Sequence, residues 1–186
     1  SNDKAAGCDV GIVLLAAGSA SRMGAGAGHK LLATFEGEPL VRRMARTALD
    51  SSAARTVVVT GHRSGDIAGG LDGLDVDLVH NAEYASGMAS SLKCGLSALD
   101  GDIDGALVLL ADMPGLSSAH LDRLIEVFRE NQGLSVVRAT EGERRGNPVI
   151  LPRAAFAAVM ELEGDVGARS VIESGTWPVI DVEIGG

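Results

Sequence analysis

The segment LLAAGSASRMGAGAGHKLL, residues 14–32, holds the residues whose types and spacing could do chemistry. It follows an apolar run, is rich in glycine, and carries two permanent cations, Arg22 and Lys30. Glycine lets backbone N–H groups approach a ligand closely, and the two cations add positive charge. The segment therefore predicts an anion-binding loop; the alternative is an ordinary mobile surface loop.

This loop departs from the two common nucleotide-binding motifs. GSASRMG does not match the G-x-G-x-x-G of dinucleotide-binding folds, and GHKLL lacks the Lys-Ser/Thr pair of a P-loop. The sequence therefore supports neither a Rossmann dinucleotide site nor a Walker-type ATPase.

Asp112 is the second candidate for chemistry, because it directly follows the apolar run GALVLLA and precedes Pro114. Magnesium in proteins takes one or two carboxylates and completes its shell with water and phosphate oxygens. A solitary aspartate at the end of a strand suits such a site. The alternative is that Asp112 is the N-cap of the following helix.

The pattern of apolar segments predicts how these residues are positioned. Apolar runs of strand length alternate with amphipathic segments of helix length, which is typical of βα units in a doubly wound, mostly parallel sheet. We predict strands at 10–16, 55–60, 76–80, 105–111, 134–139 and within 144–153. We predict helices at 39–52 with Pro39 in the first turn, at 88–99, at 117–131 with Ser117 or Ser118 as N-cap, and within 154–162 and 165–175. Ligands bind at the carboxyl ends of the strands in such sheets.

Composition agrees with an α/β fold and limits the function. The chain has 186 residues, 46% of them hydrophobic, with 25 glycines and 3% aromatic residues, which predicts one α/β domain over residues 1–186. Because the start lacks Met, Ser1 and Asn2 are interpreted as a cloning remnant. A net charge of -9 argues against a general nucleic-acid binder, and no apolar window is long enough for a membrane span. Cys8 and Cys94 lack metal-ligand spacing, so we expect a reducing cytoplasm and no disulfide.

Six segments, spread over most of the chain, resemble one known family. They are LLAAGSASRMG with the lysine that follows it, TGHR, NAEYASGMASSLKCGL, LLADMP, RGNPVIL and GDVGAR. Together they resemble the molybdenum cofactor cytidylyltransferase branch of the molybdopterin nucleotidyltransferases, also called MobA-like NTP transferases. The resemblance implies a Rossmann-like fold of the nucleotide-diphospho-sugar transferase type.

The resemblance also implies roles for individual residues. It makes Arg22, Lys30 and Asp112 catalytic, and it assigns Mg²⁺ to Asp112 and Asp165. The nucleotide-binding residues would be Leu15, Ala16, Ala17, Gly18, Arg22, Lys30, Asn81, Ser86, Gly87, Ser90 and Ser91, and the acceptor pocket would include Arg145 and Asn147.

Several of these residues have a structural alternative. The serines and Asp165 are also typical helix caps, and Gly-Asn-Pro at 146–148 is also a plain turn. We expect Met88 and Leu92 to be core residues, and His29 and His62 to be ordinary loop histidines.

The expected activity is transfer of a nucleotide from a nucleoside triphosphate to a phosphorylated acceptor, with release of pyrophosphate. CTP is favoured because LAAG, with Ala17 before the glycine, resembles the cytidine form rather than the LAGG form of guanosine enzymes. The acceptor implied is molybdopterin with its molybdenum, and molybdoenzymes or chaperones are the protein partners expected. The alternatives are a cytidylyl- or uridylyltransferase for a sugar or polyol phosphate, and a non-catalytic cofactor-binding homologue.

Two features depart from the family pattern. The spacer AGAGH, residues 25–29, is longer than usual before Lys30, and the chain ends at PVIDVEIGG where the family continues into a segment resembling DIDTPED. We therefore expect Lys30 either to lie differently or to need closure of the loop, and, if the protein lacks the C-terminal segment, part of the metal or acceptor site to be missing.

Overall fold

The computed structural model describes residues 8–16, 32–62, 64–99, 101–142 and 144–185. Its strands are β1 (Val10–Ala16), β2 (Thr34–Phe35), β3 (Glu38–Pro39), β4 (Arg55–Thr60), β5 (Asp77–His80), β6 (Gly105–Leu110), β7 (Val136–Glu141), β8 (Arg144–Pro152) and β9 (Val179–Glu183). Its α-helices are α1 (Leu40–Asp50), α2 (Ser64–Gly70), α3 (Met88–Leu99), α4 (Ser118–Glu130), α5 (Phe156–Met160) and α6 (Ala168–Glu173), with 3₁₀ turns at Tyr84–Ser86 and Arg153–Ala155.

A sheet of seven strands, in the order β5-β4-β1-β6-β8-β7-β9, runs through the molecule. Every neighbouring pair is parallel except the two pairs that involve β8, which runs antiparallel to both β6 and β7. The prediction of a doubly wound, mostly parallel sheet is confirmed. The antiparallel insertion of β8 places its first residues beside the carboxyl ends of β6 and β7.

The sheet carries an apolar layer of helices on each face. Strand β1 shows the alternation that produces this, because Ile12 and Leu14 pack into one buried cluster and Val13 packs into the other. Helices α1, α2 and α4 cover the first face, and helices α3, α5 and α6 cover the second. A strand buried on both faces needs an almost continuous apolar sequence, which is what residues 10–16 provide.

Two helix starts differ in detail from the prediction. Pro39 is the N-cap of α1 rather than its first helical residue, because it pairs with Thr34 in the short β2–β3 ladder. Ser117 is the N-cap of α4, and its Oγ accepts a hydrogen bond from the backbone N–H of His120. Asp112 is therefore not the N-cap of α4, and that alternative is wrong.

Among the residues that the structure describes, no helix is both long and apolar enough to cross a bilayer.

Candidate active site

The candidate site lies at the carboxyl edge of the sheet, where the chain changes direction. Strand β1 pairs in parallel with β4 on one side and with β6 on the other, so the segments that follow β1 and β6 start side by side at this edge. Ligands bind at the carboxyl ends of the strands in open α/β sheets. The glycine-rich loop follows β1, and Asp112 follows β6.

The end of β1 is held by its neighbours on both sides. Leu15 pairs with Val59 and Leu110, and its carbonyl oxygen accepts a hydrogen bond of 3.2 Å from the N–H of Ala111. Ala16 is buried and pairs with Thr60. This bond ties the residue before Asp112 to the strand that leads into the loop.

Four residues of the predicted nucleotide and catalytic set, Ala17, Gly18, Arg22 and Lys30, lie outside the described residues, as does His29. Arg145 pairs through its backbone with Thr140 in the β7–β8 ladder, but its side chain is outside the described part of the chain. Their predicted roles stay predictions.

Asn81 follows β5 and is the centre of a polar network. Its side-chain N–H groups donate to Ser90 Oγ at 2.8 Å and to Ser91 Oγ at 2.9 Å, and its Oδ1 accepts from the N–H of Glu83 at 3.0 Å. Asn81 and Ser91 are nearly fully buried, with 7% and 5% of their surface exposed. In this structure Asn81 fixes the turn that leads into α3.

Ser86 and Ser90 also make contacts within this turn. Ser86 Oγ donates to the carbonyl oxygen of Glu83 at 2.8 Å. Ser90 Oγ lies 3.0 Å from the carbonyl oxygens of both Glu83 and Gly87. Both hydroxyls thus donate to carbonyl oxygens of this turn and do not cap α3 by accepting one of its N–H groups, and the contact of these serines with a nucleotide stays a prediction.

The N-terminus of α3 is covered by the loop that contains Gly164 and Asp165. Asp165 Oδ1 accepts from the N–H of Met88 at 3.2 Å, and the carbonyl oxygen of Gly164 accepts from the N–H of Ala89 at 3.2 Å. Gly87 has φ of +122°, and a β-carbon there would meet the Gly164 carbonyl oxygen at 2.4 Å. Glycine at position 87 is therefore what allows the two segments to approach.

The capping alternative for Asp165 is wrong for the helix that it precedes. The N-cap of α6 is Gly167, and no side chain caps that helix. Asp165 instead binds the start of α3, 77 residues earlier in the chain. This contact brings the GDVGAR segment to the start of α3, and the metal-binding role of Asp165 stays a prediction.

Two cavities lie on either side of the first residues of β8, and Gly146 and Asn147 line both of them. The α4-side cavity has a volume of about 400 Å³ and is lined among others by Asp112, Leu116, His120, Thr140, Glu141 and Ile184. The α6-side cavity has a volume of about 630 Å³. Its apolar residues include Met88, Leu92, Val108 and Val149, and its polar residues include Arg138, Asp165, Arg169 and Ser170.

Asn147 lies in β8 and not in a turn, so the turn alternative for Gly-Asn-Pro is wrong. Its side-chain amide makes no hydrogen bond within the part of the chain that the structure describes, and it is half-buried between the two cavities.

Leu92 is a core residue as expected, but Met88 is only half-buried and lines the α6-side cavity.

The carboxylates of Asp112 and Asp165 line different cavities that share Asn147. The described part of the chain contains no group of three or more His, Cys, Asp or Glu side chains that could hold a metal ion. Magnesium does not need an all-protein cage, since phosphate oxygens and water complete its shell. The donor set present therefore fits a magnesium ion that is bound together with a nucleotide.

Sequence reasoning missed two polar groups at this edge. Arg138 Nε donates to Asp181 Oδ1 at 2.7 Å across the β7–β9 pair, and the arginine side chain is only 17% exposed. His120 Nδ1 accepts from the N–H of Ser117 at 3.1 Å and the residue lines the α4-side cavity. The arginine in the otherwise apolar run SVVRAT could have indicated that Arg138 lies near a site, whereas no local sequence pattern distinguishes His120.

His62, an expected loop histidine, has its ring 6.2 Å from the ring of Tyr84.

Comparison with known proteins assigns the chain to a family. Residues 12–178 match the family model of the MobA-like NTP transferase domain. Nicotine blue oxidoreductase from Paenarthrobacter nicotinovorans is 31% identical over 172 residues, which cover 90% of this chain and 83% of that protein. A nucleotidyl transferase structure from Methanothermobacter is 25% identical, with a TM-score of 0.79 and coverage of 97% of this chain and 89% of its own.

The fold is also shared with Rv0371c from Mycobacterium tuberculosis, whose structure was solved as a complex with manganese. That chain is 22% identical, with a TM-score of 0.77 and coverage of 96% of this chain and 89% of its own. The family match over residues 12–178 confirms the resemblance seen in the sequence motifs. This chain is therefore a nucleotidyltransferase of the MobA-like NTP transferase family.

Proposed function

We propose that the protein joins a nucleoside triphosphate to a phosphorylated acceptor in a magnesium-dependent reaction and releases pyrophosphate. The observation that supports this most is the position of Asp112. It stands directly after β6, and the Ala111 to Leu15 hydrogen bond of 3.2 Å holds that turn against the end of β1. The carboxylate and the glycine-rich loop with its cations thus follow two neighbouring parallel strands at the carboxyl edge of the sheet.

The chemistry explains why these residue types are needed. A phosphate oxygen of the acceptor attacks the α-phosphorus, and the bond from that phosphorus to the bridging oxygen breaks, with its electron pair leaving on pyrophosphate. Both reactants are anions, so positive charge and backbone N–H groups must offset their repulsion. Arg22 and Lys30 would supply that charge in the loop. Bound magnesium would neutralise phosphate charge, and Asp112, with Asp165 as the second candidate, would hold it.

Asn81, Ser90 and Ser91 would act in the nucleotide site mainly by shape. Their mutual hydrogen bonds of 2.8 and 2.9 Å fix the start of α3 beside the carboxyl end of β5. A rigid turn at this position presents backbone groups to a base or ribose at no further entropic cost. Ser86 and Gly87, in the same turn, belong to the proposed contact surface.

CTP is the nucleotide that we propose. The methyl group of Ala17 would crowd a purine, whereas glycine at this position would leave room for it. One methyl group discriminates by about 1 to 3 kcal/mol, which corresponds to roughly 10- to 200-fold. Competition between CTP and GTP at fixed magnesium tests this proposal, and Ala17→Gly should reduce the preference. A preference for GTP would contradict it.

The acceptor that we propose is a molybdopterin-type phosphate monoester, bound near Asn147 and Arg145. Support comes from the two cavities beside Asn147, because its unbonded amide can donate to and accept from a ligand. Sugar and polyol phosphates are the alternative acceptors within the same reaction class. Pyrophosphate release with a pterin phosphate, a sugar phosphate and a polyol phosphate, each with CTP, separates these acceptors.

Metal-dependent binding of the nucleotide tests the proposal without any acceptor. Calorimetry should detect binding of CTP with magnesium, and a chelator should weaken it strongly. The manganese in the Mycobacterium tuberculosis structure supports trying both metals. Equal binding with and without a chelator would remove the metal from the proposal, and no binding of any common triphosphate would overturn the proposal as a whole.

The assay must also separate transfer from other activities in this family. The relative from Paenarthrobacter nicotinovorans is named as an oxidoreductase, and a non-catalytic cofactor-binding homologue is the other alternative. Magnesium-dependent pyrophosphate release is expected from a nucleotidyltransferase and from neither of these alternatives.

A further inference from the structure

His120 is held in one tautomer by the capping box of α4. Its Nδ1 accepts the N–H of Ser117 at 3.1 Å, so in the neutral ring the proton is assigned to Nε2. The reciprocal bond, from the His120 N–H to Ser117 Oγ at 3.3 Å, fixes the residue at the third position of the helix. Within the part of the chain that the structure describes, Nε2 has no hydrogen-bond partner.

His120, whose Nε2–H group is this donor, lines the α4-side cavity together with Asp112. Asn147 lines the same cavity with its unbonded amide, and Thr140 adds a hydroxyl group. Three side chains with N–H or O–H groups thus surround a space of about 400 Å³, which is within the usual range for small-molecule sites. Such a set of groups suits a ligand that presents oxygen or ring-nitrogen acceptors.

The charges around the cavity indicate which part of a ligand it can hold. Asp112 and Glu141 contribute two carboxylates, and no arginine or lysine is among the described residues that line it. The carboxylate of Glu141 therefore makes this part of the wall more favourable for an uncharged group than for an anionic one, and an anion fits only where a metal ion offsets the charge. Leu116 and Ile184 supply apolar surface for the same uncharged body.

We infer that the α4-side cavity binds the uncharged, hydrogen-bonding end of the acceptor and that His120 Nε2–H donates to an oxygen or nitrogen of it. This inference rests on the proposed transferase function and deepens it, since it makes His120 a specificity-determining residue for the acceptor. The acceptor phosphate would then lie beside Asp112, where the magnesium ion of the proposed reaction offsets the negative charge. A pterin or polyol body meets the chemical requirement, and inorganic phosphate does not.

Binding of uncharged probes tests this directly and needs no turnover. Long-range ¹H–¹⁵N spectra of histidine-labelled protein, with His120→Gln used for assignment, report Nε2 of His120. Adding 6-hydroxymethylpterin or ribitol should shift this signal, and adding inorganic phosphate should not. A shift with phosphate alone would overturn the charge argument, and no shift with any of these probes would overturn the site.

Three variants separate ligand binding from helix capping. His120→Ala removes the donor and half of the capping box, and we expect it to raise the acceptor KM about tenfold with little change in kcat or in CTP affinity. Ser117→Ala breaks the other half of the box and should lower stability while leaving the acceptor KM within about twofold. His120→Gln can both accept from Ser117 and donate, so it should restore most of the acceptor affinity.

The outcomes distinguish this inference from the proposed function. If pyrophosphate release is normal in His120→Ala with an unchanged acceptor KM, the inference is wrong and the transferase proposal stands. If no phosphate monoester supports pyrophosphate release but the uncharged probes still shift His120, the transferase proposal fails and the binding site remains. If Ser117→Ala reproduces the KM defect, His120 acts only through the helix cap and the inference is wrong.

Discussion

Gly87→Ala should strongly destabilise the protein, because position 87 lies against the backbone of another segment. The new β-carbon would lie 2.4 Å from the carbonyl oxygen of Gly164, 2.5 Å from its carbonyl carbon and 2.7 Å from the nitrogen of Asp165. All three atoms belong to the backbone, so relief requires the whole loop to move. The φ of +122° adds strain for any residue other than glycine.

The size of the effect follows from what the movement would break. The N–H groups of Met88 and Ala89 would lose their 3.2 Å hydrogen bonds to Asp165 and Gly164, at about 0.5 to 1.5 kcal/mol each. Backbone strain adds about 1 to 3 kcal/mol. We therefore expect the free energy of unfolding to fall by about 2 to 6 kcal/mol, a large part of the total for a typical domain.

Urea unfolding followed by far-UV circular dichroism measures this change, with Gly69→Ala as the matched control. Gly69 lies in α2, and a β-carbon there meets nothing within 4 Å. The control should be unchanged or up to about 1 kcal/mol more stable, because alanine favours a helix. If the free energy of unfolding of Gly87→Ala lies within about 0.5 kcal/mol of the wild-type value, the backbone at position 87 does not approach Gly164 as closely as described.

Three further predictions concern other residues. Asn81→Ala should lower the free energy of unfolding by about 2 to 4 kcal/mol, since it removes three hydrogen bonds of a buried side chain, and urea titration measures this. Desolvation raises the pKa of the Cys94 thiol, and desolvation together with the negative charge of Asp104 raises the pKa of the Cys8 thiol. Because less thiolate is then present at pH 8, both cysteines should be alkylated more slowly than free cysteine. Alkylation followed by mass spectrometry over a pH series should show rates that still rise above pH 9, and a plateau below pH 8 would contradict this. Asp112→Asn should lower kcat at least about a hundredfold without changing the urea midpoint, and retained turnover would remove Asp112 from catalysis.

The sequence predicted the periodic elements well because their signals are local. Residues 10–16 and 55–60 were correctly bounded as strands and 88–99 as a helix, since apolar period and length alone determine them. Strand β7 was placed two residues too early, because Leu134 is apolar but 65% exposed and precedes the strand. Segment boundaries of this kind depend on packing that no local pattern records.

The long-range contacts of the candidate site could not be predicted from residue patterns. Asp165 was expected to act near a metal by resemblance, but its bond to the N–H of Met88 depends on how residues 77 positions apart meet. Similarly, the antiparallel insertion of β8 puts Asn147 between two cavities, and no feature of RRGNPVILPR indicates its neighbours. The motifs identified the residue types, and the sheet topology determined which of them meet.

Simultaneous measurement of pyrophosphate and of the nucleotidyl product in one reaction tests the central proposal most directly. With CTP, magnesium and a molybdopterin-type phosphate monoester, the account predicts one pyrophosphate for each cytidylylated acceptor, and no product when a chelator is present. Pyrophosphate or inorganic phosphate formed without any nucleotidyl product would contradict transfer, as would the absence of pyrophosphate with every pterin, sugar and polyol phosphate tested.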